Sequence, residues 1–213
     1  SKPLIIAEVG QSHLGNIKRV FKIIKLVSKT GADVIKFQTH YADEESTLDE
    51  PFRKKTDLNI NSRIQYWKKM EFTKNEWVKI KKYCEKNNLI FLSSPFSLKA
   101  VDILSEIGLK FWKVGSGEFF SVDLLKKIDK LNQPIILSTG LSTYNDIKKQ
   151  LQLFKNKKKI ILMQCTSEYP SNIKSAGIEL VRILKKKFKV YTGLSDHSGK
   201  ISPSIMALSL GAK

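Results

Sequence analysis

Short apolar runs alternate with longer amphipathic stretches along the whole chain. The apolar runs are Leu4–Val9, Asp33–Gln38, Leu89–Ser94, Lys110–Val114, Pro134–Thr139, Lys159–Cys165 and Lys189–Leu194. They are apolar at successive positions rather than at every second one. That pattern predicts strands covered on both faces, as in a parallel sheet. Between them, Lys18–Thr30, Lys74–Asn87, Leu98–Ile107, Ser121–Leu131, Thr143–Phe154, Ile173–Lys187 and Ser202–Leu210 repeat apolar residues at helical spacing. Thr73 followed by Glu76 has the spacing of a capping box, and Gly31 and Gly108 close their helices. Seven such strand–helix units in one run predict an α/β fold of parallel strands as one domain over residues 1–213, and favour a TIM (β/α)8-type barrel over an open doubly wound sheet, the alternative that periodicity alone leaves open. Strand spacing is broken once. Residues 40–72 form an insertion rich in charge and aromatics (Tyr41, Phe52, Tyr66, Trp67, Phe72), the expected position of a lid.

Composition changes this picture little. The chain has 213 residues, 41% of them hydrophobic, enough for a core of its own. Its net charge of +18 raises the question of a nucleic-acid partner. The cations are 34 Lys against 4 Arg, and Arg is the residue suited to bidentate phosphate and base recognition. Runs such as Lys79-Ile80-Lys81-Lys82 and Lys185-Lys186-Lys187 read as solvated helix faces. No nucleic-acid partner is expected. Cys84 and Cys165 have no motif spacing. The first residues run into a strand without a signal-peptide core, and no apolar stretch is long enough to span a bilayer, so a cytoplasmic location and no membrane partner are expected.

The polar residues fall at the strand ends. In chain order they are Glu8; Lys36 and Gln38; Ser93 and Ser94; Lys113 with Ser116 and Glu118; Ser138 and Thr139; Gln164, Thr166 and Ser167; and Ser195, Asp196 and His197. In a TIM barrel, C-terminal strand ends form the active-site mouth. A lysine inside an apolar run, as in Val34-Ile35-Lys36-Phe37, is costly unless it meets an anion. Two of them, Lys36 and Lys113, suggest an anionic ligand. Gly115-Ser116-Gly117 and Gly140 would let backbone N–H groups approach it. Neither GxGxxG after the first strand nor a Walker sequence occurs, which argues against a dinucleotide or an NTPase.

Seven of these blocks together resemble the sialic acid synthase family. They are Ile5-Ile6-Ala7-Glu8-Val9-Gly10-Gln11-Ser12-His13-Leu14-Gly15, Gly31-Ala32-Asp33-Val34-Ile35-Lys36-Phe37-Gln38 and Ser94-Pro95-Phe96. The others are Lys113-Val114-Gly115-Ser116-Gly117-Glu118, Ser138-Thr139-Gly140, Cys165-Thr166-Ser167-Glu168-Tyr169-Pro170 and Gly193-Leu194-Ser195-Asp196-His197-Ser198-Gly199. The resemblance implies a transferase that condenses phosphoenolpyruvate with an N-acetylated hexose such as N-acetylmannosamine, giving a nine-carbon 2-keto-3-deoxy acid and phosphate. It assigns phosphoenolpyruvate to Lys36, Ser94, Lys113, Ser116, Ser138, Ser167, Ser195 and His197. It assigns the sugar to Gln38, Glu118 and Tyr169. Glu118, Glu8 and His197 are the expected catalytic groups. His197 matches one of two histidines that hold a divalent metal, Mn2+ or Mg2+, which would polarise the sugar aldehyde. A homodimer is implied as well.

The chain departs from the family pattern in places. Gln164-Cys165-Thr166 stands where many members have His-Cys-Thr, Ser167 stands where some have Asn, and Ser12-His13-Leu14-Gly15 stands for Asn-His-x-Gly. The resemblance also leads us to expect an incomplete barrel. The sequence ends at Gly211-Ala212-Lys213, where an eighth strand would bring the second metal histidine, with an antifreeze-like domain after it. Two other readings stand beside this one: a Schiff-base aldolase using Lys113 or Lys36, and a noncatalytic basic binding fragment.

Overall fold

The structure, a computed structural model, describes residues 2–51, 60 and 62–213. It divides into two compact units, Leu4–Leu109 and Lys110–Lys213 with Ser1–Pro3.

In the first unit, three parallel strands pair in the order β1 (Ile6–Glu8), β2 (Val34–Thr39) and β3 (Ile90–Pro95). Five α-helices accompany them among the described residues: α1 (Ile17–Val27), α2 (Ala42–Glu45), α3 (Arg63–Met70), α4 (Lys74–Lys86) and α5 (Leu98–Glu106). Val34–Phe37 and Thr39 of β2 are buried and Gln38 is half-buried, so both faces of the strand are covered. One face carries Ile35, Phe37 and Thr39. Phe37 joins an aromatic cluster with Trp77 of α4 and Phe91 of β3, at centroid distances of 5.7 to 6.0 Å. The other face carries Lys36, Gln38 and, one residue past the strand, His40, because side chains alternate along a strand. The capping box at Thr73 forms as its spacing predicts. Thr73 Oγ1 accepts from the Glu76 N–H at 3.3 Å and Glu76 Oε2 accepts from the Thr73 N–H at 2.8 Å.

The second unit has four parallel strands in the order β4 (Trp112–Val114), β5 (Ile135–Ser138), β6 (Ile160–Cys165) and β7 (Tyr191–Ser195). Its α-helices are α6 (Val122–Lys130), α7 (Tyr144–Leu151), α8 (Glu179–Phe188) and α9 (Ser202–Ser209). Trp112, Phe119, Leu125, Ile128, Leu137 and Leu162 fill its core. Lys185, Lys186 and Lys187 lie on the exposed face of α8, whose inner face buries Val181 and Leu184.

Each apolar run contains one observed strand, and the helical patterns hold with two refinements. The stretch Ile173–Lys187 is not one helix: Ile173–Ser175 forms a 3-10 turn and α8 begins only at Glu179. Gly177, between them, takes φ +59°, a conformation that interrupts a right-handed helix. The insertion over 40–72 is not bare loop, since α2 and α3 lie within it. Glu71 Oε1 accepts from the Ala42 N–H at 2.6 Å, and Lys68 pairs with Asp43 at 3.1 Å. Phe52 and residues 53–59 and 61 of the expected lid lie outside the described residues.

Candidate functional site

In the unit Leu4–Leu109, strand register sets the first polar group. Parallel pairing places Glu8 level with Lys36, and their side chains form an ion pair. Lys36 is largely buried, so the carboxylate supplies the anion that its place in an apolar run demands. The other carboxylate oxygen of Glu8 accepts from the Gly10 N–H at 2.9 Å. Gln38 is level with Ser94, which is buried. Thr39 Oγ1 and Ser93 Oγ lie 2.7 Å apart on the opposite face.

Beyond β2, a polar network has formed that no motif announced. Gln11 Nε2 donates to Gln38 Oε1. His40 Nε2 lies 3.2 Å from Gln38 Oε1 and 3.3 Å from Gln11 Nε2. His40 Nδ1 lies 2.7 Å from Glu45 Oε2. The imidazole is held flat between the rings of Trp67 and Phe96, at centroid distances of 4.0 and 4.2 Å. The one legible hint was period two: Lys36, Gln38 and His40 are alternate residues of one strand face.

His13 is buried nearby in sequence and packs on Phe72 with centroids 4.9 Å apart. Its Nδ1 accepts from the Gly15 N–H at 3.0 Å. Burial, helped by the charges of His40 and Arg19, lowers its pKa to about 4, so it stays neutral.

In the unit Lys110–Lys213, hydroxyls and one ammonium gather at the C-terminal ends of β4, β5 and β6. Lys113 lies level with Ile136, two residues before Ser138 on the same face of β5. Its buried Nζ donates to Ser138 Oγ at 2.6 Å and to Val114 O at 3.1 Å. Ser116 Oγ accepts from the Gly140 N–H at 3.1 Å. Gly140 is hemmed in. A Cβ there would fall 2.6 Å from Ser167 Oγ, 2.7 Å from Cys165 O and 2.9 Å from Ser116 Oγ. The structure therefore brings together Lys113 with Ser138, and Ser116 with Ser167 around Gly140. Glu118 sits on the 3-10 turn Ser116–Glu118, where its Oε2 accepts from Ser121 Oγ at 2.6 Å.

His197 follows β7. Its Nδ1 lies 2.7 Å from Thr166 O, so Nδ1 carries a proton and donates to that carbonyl. Its Nε2 faces Ser195 Oγ at 3.4 Å, and the exposed Tyr169 ring lies 4.1 Å from the imidazole. A carbonyl behind Nδ1 is the support a metal-binding histidine uses, so Nε2 suits one ligand position. Among the described residues, no three His, Cys, Asp or Glu side chains gather about one point. His197 alone does not make a cation site.

Comparison with known proteins agrees on one family. The sequence profile of the NeuB family matches residues 23–213. The chain is 38% identical to the N,N'-diacetyllegionaminic acid synthase of Campylobacter jejuni over 99% of its own length and 65% of that protein's. It is 33% identical to the pseudaminic acid synthase of the same species, over 100% of its length and 63% of the relative's. The chain thus spans less than two thirds of either relative. Among solved structures, the N-acetylneuraminic acid synthetase of Leptospira borgpetersenii, in complex with citrate, superposes with a TM-score of 0.87 at 29% identity, covering 100% of this chain and 71% of that one. Likeness of that extent makes the fold parallel α/β and TIM-barrel-like, as the strand pattern predicts.

Proposed function

The chain belongs to the NeuB family, and from that premise we propose that it condenses phosphoenolpyruvate with an N-acetylated hexose to give a nine-carbon 2-keto-3-deoxy acid and phosphate. The relatives are named for sugar-acid synthesis, which supports the product class. The observation that carries the reading is the donor set of the second unit. A buried ammonium on Ser138, the hydroxyls of Ser116 and Ser167, and the backbone around Gly140 suit a small, highly charged anion.

The chemistry assigned to these groups is positioning and charge compensation. Lys113, Ser138, Ser116 and Ser167 hold the carboxylate and phosphate of phosphoenolpyruvate and orient its enol carbon. That carbon forms a bond to the open-chain aldehyde carbon of the sugar. The alkoxide takes a proton, and the cationic carbon left in the phosphoenolpyruvate moiety takes up water. The tetrahedral product then collapses by breaking the bond from carbon to the bridging oxygen, and phosphate leaves. Glu118 and Glu8 are the carboxylates assigned to proton movement, Gln38 and Tyr169 to the sugar. A divalent cation, manganese or magnesium, is part of the proposal only with ligands besides His197. We place the reaction in the cytoplasm; no helix among the described residues is long and apolar enough to cross a membrane.

The test is direct. Phosphoenolpyruvate, Mn2+ and either N-acetylmannosamine or a diacetamido hexose are supplied, and phosphate is followed. Release that needs both organic substrates is expected. No release with any N-acetylated hexose would overturn the proposal.

A further inference from the structure

Glu45, His40, Gln11 and Gln38 form one hydrogen-bonded chain. Glu45 is fixed on both oxygens: Oε1 accepts from the Tyr41 N–H at 2.7 Å and Oε2 faces His40 Nδ1 at 2.7 Å. An ionised carboxylate offers acceptors only, so Nδ1 carries the proton. The ring cannot turn, because Trp67 and Phe96 stack on its two faces and only 4% of His40 is exposed. Nε2 therefore points at the two glutamines. In a neutral ring Nε2 accepts, and with the Gln38 oxygen turned inward the partner able to donate is Gln11 Nε2, 3.3 Å away. Gln11 then spends its second amide hydrogen on Gln38 Oε1. In a cationic ring Nε2 donates, and its acceptor is Gln38 Oε1 at 3.2 Å. Both states turn the Gln38 oxygen inward. Both leave the Gln38 amide nitrogen as the end available to a ligand.

We infer that Gln38 serves its ligand as a hydrogen-bond donor, and that Glu45, through His40 and Gln11, sets this polarity. The ligand atom it meets is an acceptor oxygen, a carbonyl or hydroxyl lone pair of the sugar. This rests on the assignment of Gln38 to the sugar. His40, Gln11 and Glu45 are positioning residues: they act through Gln38 and do not touch substrate.

Three measurements test it. In the wild-type protein, long-range 1H–15N spectra of labelled histidine should show His40 protonated at Nδ1; an unprotonated Nδ1 overturns the relay before any ligand is added. Glu45→Gln keeps the shape but can donate to Nδ1, so the ring is no longer committed. His40→Asn keeps a donor for Glu45 and has nothing at the Nε2 position. Each should weaken binding of N-acetylmannosamine about tenfold, the scale of one misdirected hydrogen bond, while phosphoenolpyruvate affinity stays within about twofold. His40→Gln, with an amide reaching the Nε2 position, should recover much of the sugar affinity. Unchanged sugar binding in Glu45→Gln and His40→Asn, or equal losses for both ligands, overturns the inference. A wild-type protein that binds no N-acetylated hexose would instead overturn the sugar assignment of Gln38, and the inference with it.

Discussion

Lys113 Nζ donates a 2.6 Å hydrogen bond to Ser138 Oγ, joining neighbouring strands β4 and β5 at their C-terminal ends. Both groups are buried, so the bond fixes where the ammonium sits. Lys113→Met should weaken phosphoenolpyruvate binding by about 100-fold, and Ser138→Ala by about tenfold, as expected for losing a charge-assisted and a neutral hydrogen bond. Calorimetric titration checks both. Borohydride in the presence of a keto substrate should leave Lys113 unmodified. A trapped adduct on Lys113 would favour Schiff-base chemistry and contradict its role as an anion donor.

Gly140→Ala tests the cradle sterically. Three oxygens lie within 3 Å of the position the methyl group would take, and one of them is a backbone carbonyl that cannot swing away. The variant should lose about 2 kcal/mol of stability through overpacking, with loss of phosphoenolpyruvate binding. Denaturant unfolding and titration measure the two effects. A variant as stable and as tight-binding as wild type would show that Ser116 and Ser167 do not close on Gly140.

How much of this was legible in sequence differs between fold and site. The strands could be read because burial on both faces demands apolar residues at successive positions, as in Ile135-Ile136-Leu137 of β5. The lysines stood out because a charge inside such a run is costly, and Lys113 does meet Ser138. For Lys36 the partner proved to be the chain's own Glu8, which depends on β1–β2 register that no local pattern specifies. The His40 network escaped reading for the same reason. Gln11, His40, Glu45 and Trp67 belong to four segments, and only folding brings them into contact. The break at Gly177 was missed because the apolar spacing of Ile173–Lys187 continues through it.

His13 gives the chain a specific acid sensitivity. Its pKa falls from 6.5 to about 4 on folding. Between these values the unfolded chain binds the proton and the folded chain does not, so stability falls as pH drops from 6.5 towards 4 and levels off below. The loss from this residue is roughly 3 kcal/mol across the window. In His13→Asn, whose side-chain oxygen can still accept from the Gly15 N–H, that part of the slope should vanish. Urea unfolding at half-unit pH steps compares the two. Parallel slopes would show that His13 is not held neutral.

Cys84 should be chemically silent. It is buried in α4, and burial pushes its thiol up to about 12. Little thiolate forms near neutral pH, and reagents cannot reach it. In a Cys165→Ser background, a disulfide reagent at pH 8 should label the unfolded chain fully and the native chain negligibly. Rapid native labelling would contradict the packing of α4.

The central claim is condensation of phosphoenolpyruvate with an N-acetylated hexose by cleavage of the bond from carbon to oxygen. Phosphoenolpyruvate labelled with 18O at the bridging position tests it most directly, with N-acetylmannosamine or a diacetamido hexose as acceptor and mass spectrometry of the products. The account predicts that the label leaves with the phosphate and that the keto acid takes its new oxygen from water. Label retained in the organic product, or no acceptor-dependent phosphate at all, would contradict it.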